Sequence, residues 1–322
     1  MPSEQIYRAE AASDLREDVF KIALSLCTYL PVSSVLATIF LSAYSSTTAI
    51  TDPDLIAQSF SQSPYYSVYL LAVTVIPLCI CILLLSKLTK SKLSIISAKP
   101  TVSKNRFFSF LLLGLGAIPL SAAANIVSNS ILARFDLKPT PTTAPSDIFA
   151  TVIFVLAHAL LAPILEEILF RFLILERLRR YGDIFAVITS AFLFMLLHSS
   201  FFSFAYAFVA GIVFGFLAVW TGSLLCPLVL HVLNNIISVA MILLEGKLSG
   251  EQADLIYIGI LAVMAVISAY ALLPLQKKND GAFRLAFDGK IIFKGRKAAI
   301  VFTSMPMIFF IIMTIAFAVS AV

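Results

Sequence analysis

A chain of 322 residues that is 60% hydrophobic and only 13% charged carries too much apolar side chain for a water-soluble globule. Its mean hydropathy of +0.98 says the same. The net charge of +5 would suit nucleic acid, but the basic residues sit in loops between apolar stretches. That is the pattern of membrane orientation, so no nucleic-acid partner is expected.

In chain order, residues 1–18 are polar and acidic-leaning and lack the basic start of a cleaved signal peptide, so they read as an uncleaved cytosolic segment. Apolar windows long enough to cross about 30 Å of hydrocarbon then recur at 19–45, 64–86, 107–132, 148–173, 184–200, 203–220, 224–244, 254–275 and 299–321. A lipid-exposed backbone must satisfy its own hydrogen bonds, so the fold class is all-α, a polytopic transmembrane helical bundle of about nine spans. Pro77 interrupts the second window and Gly114, Gly116 and Pro119 the third. The four cysteines, Cys27, Cys79, Cys81 and Cys226, lie inside apolar segments without zinc-type spacing and read as small core residues.

Lys and Arg crowd the loops after the second, fourth and eighth windows, whereas 46–63 has neither. The alternation places the N-terminus and the basic loops in the cytosol and, with nine spans, the C-terminus outside a cell membrane, in contact with lipid. A Pro-rich external linker at 133–147 divides front helices, 19–132, from a core at 148–245 that holds every intramembrane motif. Residues 246–322 supply the last helices and a basic cytosolic loop.

Charged groups at bilayer depth are costly and persist where they do chemistry or carry ions. Glu166 and Glu167 with Arg171 lie in the fourth window, His198 ends the fifth, and His231 with Asn235 lies in the seventh. Gly182 stands sixteen residues after Glu166 and sixteen before His198. Two antiparallel helices reversing there bring Glu166 and His198 level, ~24 Å from the turn at ~1.5 Å per residue. His231 is nine residues beyond Gly222, so levelling all three needs that second turn to lie ~10 Å deeper. Trp220, beside it, is a candidate interfacial anchor.

Glu167 and Arg171, four apart, share a helix face and can pair, which leaves Glu166 turned ~100° away. His231 and Asn235 share a face too, so Asn235 can orient the imidazole or donate to an oxyanion. Phe194 can pack on the His198 ring. His158, eight residues before Glu166 and rotated ~80° from it, reads as structural or vestibule-lining. Gly211 and Gly215 read as a close helix contact.

Two chemistries fit these side chains. Glu166, His198 and His231 could hold a zinc ion with one open position. Alternatively Glu166 acts as general base on a water held by His198, while His231 and Asn235 stabilise the oxyanion. Both hydrolyse a peptide bond of a peptide or protein substrate. The competing classes are an ion-coupled transporter, disfavoured by the lack of an inverted repeat, and a non-hydrolytic immunity or scaffold protein.

Glu166-Glu167-Ile-Leu-Phe-Arg171, Phe194-Met-Leu-Leu-His198 and His231-Val-Leu-Asn-Asn235 resemble the EExxxR, FxxxH and HxxxN motifs of the CPBP intramembrane proteases. That family holds the Ras-converting CAAX prenyl endopeptidases and the bacteriocin-processing or self-immunity (Abi) proteins. The resemblance covers about 148–245. It implies that Glu166 and His198 hold the catalytic water, that His231 and Asn235 form the oxyanion side, and that Glu167 and Arg171 are a structural pair.

Overall fold

The computed structural model describes residues 2–91, 100–139, 144–145, 147–244, 247–277, 283–285 and 294–320. Part of the Pro-rich linker and most of the basic 276–298 loop therefore lie outside the described residues. Helices α1 (Pro2–Leu26), α2 (Tyr29–Ser45), α3 (Pro53–Ser61), α4 (Tyr65–Thr89), α5 (Lys104–Gly114) and α6 (Ala117–Leu132) form the front. The break between α5 and α6 falls at Gly116, as its glycines and Pro119 predict, whereas α4 runs unbroken through Pro77.

The fourth window is one long rod of alternating winding. It comprises α7 (Ile148–Val155), a π-helical segment (Leu156–Leu161), α8 (Ala162–Glu167), a second π segment (Ile168–Leu175) and α9 (Glu176–Leu178). Pro163 lacks the N–H that an α-turn would need, and the helix widens just before it, the usual response to a lost rung. Thereafter come α10 (Asp183–Leu197), α11 (Phe201–Thr221), α12 (Leu225–Leu244), α13 (Gly250–Lys277), α14 (Lys294–Thr303) and α15 (Met305–Ser320). Every expected span has a helix, and the protein is a multi-pass membrane bundle. Among the described residues seven helical stretches are long and apolar enough to cross, or eight if α14 and α15, bent by 70°, count as one. The ninth is α10, whose 15 residues cover only ~22 Å.

Residues 8–18, expected as a polar segment, are helical and packed. Ala12, Leu15, Val19, Ile22 and Leu26 form a buried stripe at helical spacing on α1. Glu10, Asp14, Arg16 and Glu17 are exposed on its other faces, whereas Asp18 is 1% exposed. Its carboxylate accepts from Arg177 Nε at 2.7 Å, from Tyr181 Oη at 2.9 Å and from Arg180 Nη2. This clamps α1 to the tip of the α9–α10 hairpin, so the buried core draws on helices from both sides of the Pro-rich linker.

α10 and α11 pack closely through the glycines expected to do so. A Cβ on Gly211 would sit 3.0 Å from Ala191 Cα, and one on Gly215 would meet Val187 at 3.0 Å. Gly211→Val should push the two helices apart and lower stability by about 1–3 kcal/mol, read as a drop in the thermal unfolding midpoint in detergent. Trp220 stacks on Phe110 and Phe216, at 5.7 and 5.1 Å between ring centroids.

Candidate active site

The two reversals are built as their sequences predict. Gly182 turns at φ 119°, a conformation that L side chains rarely adopt, and Gly222 turns at φ 59° with Thr101 Oγ1 standing where a Cβ would go. Gly222 and Ser223 lie beside Phe172, Leu175 and Arg179 around one cavity, so this turn is sunk below the tip at Gly182. The offset levels His231 with the two glutamates. At the other end of α10, His198 is followed by Ser199 at φ 50°, a left-handed residue that reverses the chain at once into α11.

The polar groups form a connected chain. Arg171 Nη1 lies 3.2 Å from Glu167 Oε1, and both side chains are buried, at 2% and 0% exposure. The same oxygen lies 2.8 Å from His231 Nδ1, and His231 Nε2 lies 3.5 Å from Glu166 Oε2. A carboxylate can only accept, so Nδ1 of His231 carries hydrogen toward Glu167 and Nε2 is the atom presented to Glu166. Arg171 is held further by the rings of Phe194 and Phe214, whose centroids lie 4.7 and 5.7 Å from its Cζ.

Glu166, His198, His231 and Asn235 line one cavity of about 290 Å³. His198 Nδ1 donates to the Phe194 carbonyl at 2.9 Å, and its ring packs edge-on to Phe194 at 4.7 Å. Its Nε2 is thus the nitrogen left for a ligand. The other two predicted residues, Glu167 and Arg171, are buried behind this lining and joined to it through His231. Two of the six change partner. Glu167 serves His231 as well as Arg171. Asn235 donates from Nδ2 to the His158 carbonyl at 2.8 Å and accepts from Asn234 at 3.1 Å, instead of meeting the imidazole.

His158 lines the same cavity, and its Nε2 has no hydrogen-bond partner among the described residues. The ~80° separation from Glu166 assumed a uniform α-helix. The π segment between them takes an extra residue per turn and lags the rotation, which brings the two onto one wall. Asn234, Tyr206, Thr74 and Tyr29, which no motif marks, also line the cavity. Tyr206 Oη donates to Asn234 Oδ1. The doubled Asn234-Asn235 in an apolar helix was the available signal.

Among the described residues no group of three or more His, Cys, Asp or Glu side chains is placed closely enough to hold a metal ion.

Residues 148–237 match the family described as type II CAAX prenyl endopeptidase Rce1-like. The match covers this segment, somewhat over a quarter of the chain, and is a similarity of that segment. The chain is also similar to the membrane-embedded CAAX protease MroQ of Staphylococcus aureus (strain USA300), at 33% identity over 115 residues covering 33% of this chain and 47% of that protein. The chain thus spans about half the length of the relative it matches. No solved structure matches it. The matching segment contains Glu166, Glu167, Arg171, His198, His231 and Asn235, of which Glu166, His198, His231 and Asn235 line the cavity.

Proposed function

We propose that the chain is an intramembrane endopeptidase in which Glu166 activates a water for attack on a peptide bond of a membrane-associated peptide or protein. What carries this reading is the placement of one carboxylate and two imidazoles on a single cavity inside an apolar bundle, with each ring's far nitrogen already committed.

Glu166 removes a proton from the water while His198 Nε2 holds it, and the hydroxide adds to the substrate carbonyl carbon. His231 faces the same space with Nδ1 bonded to Glu167. That bond fixes the ring's orientation, so Nε2 can receive the proton from Glu166 and hand it to the departing amine. Asn235, bonded to the His158 carbonyl, keeps a second amide hydrogen for the oxyanion. Collapse of the adduct breaks the C–N bond, and the proton taken from water leaves with the amine. Glu167 is here a positioning residue for His231 as well as the partner of Arg171.

Purified protein incubated with a peptide library should cleave, and His198→Ala should lower turnover by about 10²-fold or more. Cleavage that survives a zinc chelator, with metal well below one ion per chain, is the expected companion result. Zinc bound one per chain and required for turnover would replace this mechanism with the metal-assisted one. An unaltered rate in His198→Ala would remove the assignment.

A further inference from the structure

We propose that the catalytic cavity is entered from the membrane face opposite the basic tip of the α9–α10 hairpin, so the substrate is a polypeptide presented from the outer half of the membrane. The proposal rests on the hydrolytic reading for its substrate class, but not for the direction of entry.

The direction follows from where the cavity has walls and where it has a floor. Along the fourth span Glu166, Ala162 and His158 line it, successive turns leading away from the tip. The next turns toward the tip are closed: Phe170 and Ile174 are both 0% exposed. On α10 only the last turn lines the cavity, and on α12 Asn234 and Asn235 extend it on the far side of His231 from the Gly222 turn. A tip-side cavity of about 370 Å³ does reach Arg171, but it touches neither Glu166 nor either imidazole, and the Arg171–Glu167 pair stands between.

On the opposite side the path continues. A second cavity of about 360 Å³ is lined by Leu70 of α4 and Phe154 of α7, together with Ser61, Gln62, Ser63 and Ser67. One turn further along these two helices stand Thr74 and His158, which line the catalytic cavity. What separates the two spaces is Leu70 and the Phe154–His158 ring pair, 4.6 Å between centroids. The hydroxyls and the amide of Ser61 to Ser67 are the groups an extended peptide backbone would bond. From Phe154 to Glu166 is ~18 Å along the rod, the length of about five extended residues.

Orientation supplies the side. Arg177, Arg179 and Arg180 crowd the tip, and 46–63, before the outer cavity, contains no Lys or Arg. By the positive-inside tendency the tip is cytosolic and the Ser61–Ser67 mouth is external.

The test is thiol accessibility in intact cells, with single cysteines placed in a variant whose four native cysteines are replaced. A membrane-impermeant maleimide added outside should label Ser63→Cys and Thr74→Cys, and should reach Arg180→Cys only after permeabilisation. Labelling of Thr74→Cys with a bulky reagent should also lower cleavage at least ten-fold. Repeating the labelling in Glu166→Gln, which should be inert as an enzyme, separates entry from catalysis: an unchanged pattern upholds the route whatever the hydrolytic result. Thr74→Cys labelled only from the cytosolic side, as entry of a cytosolic lipidated C-terminus would require, overturns the proposal. So does a Thr74→Cys that reacts from neither face while Ser63→Cys reacts from outside.

Discussion

Glu166→Gln is expected to lower peptide turnover by about 10²- to 10⁴-fold, the usual contribution of a positioned general base, while leaving the thermal unfolding midpoint in detergent within a degree or two of the parent. Both halves come from the same geometry. Glu166 is the carboxylate left out of the ion pair with Arg171, and His231 Nε2 stands 3.5 Å from its Oε2. Its side chain is 17% exposed on the wall of the cavity, so the neutral amide buries no orphaned charge and opens no void. Glutamine keeps the shape but has no lone pair basic enough to take a proton from water. Turnover close to the parent's would assign the base to another group, of which His198 is the nearest candidate by its free Nε2.

How much of this could be read beforehand varies with the kind of signal. Apolar length fixed the helices because hydrocarbon thickness and backbone hydrogen bonding leave little choice, and Gly182 and Gly222 marked the reversals because their conformations exclude a side chain. Equal spacing about Gly182 sufficed to bring Glu166 and His198 to one cavity. Helical registers failed where winding is not uniform. The π segment ahead of Pro163 moved His158 onto the catalytic wall, and nothing short of coordinates reports that shift. Partner choice failed for a different reason. An i,i+4 rule finds Glu167–Arg171 but is blind to His231, 64 residues further along the chain, which takes the same carboxylate oxygen. The packing of residues 8–18 rests on two apolar positions, Ala12 and Leu15, among exposed charges, too few to stand out in the sequence.

Arg171→Met should be the most destabilising single change at the site, by roughly 3–5 kcal/mol, because it strands a buried carboxylate. Glu167 is fully buried, its Oε2 has no hydrogen-bond partner among the described residues, and without the guanidinium only His231 Nδ1 would face it. Adding Glu167→Gln removes the stranded charge, so the double variant should regain much of the lost unfolding midpoint. It should not regain turnover, because the carboxylate oxygen that orients the His231 ring through Nδ1 at 2.8 Å is gone. Arg171→Lys separates the two remaining contributions. A lysine ammonium retains the charge but lacks the planar face that lies over Phe194 at 4.7 Å and the second nitrogen that reaches the Gly211 carbonyl at 3.5 Å. Its stability should fall between those of the parent and Arg171→Met, with turnover reduced less than in the Glu167→Gln double variant. Recovery of both stability and turnover in the double variant would show that Glu167 acts on Arg171 alone, and the link from Glu167 through His231 to the cavity would have to be given up.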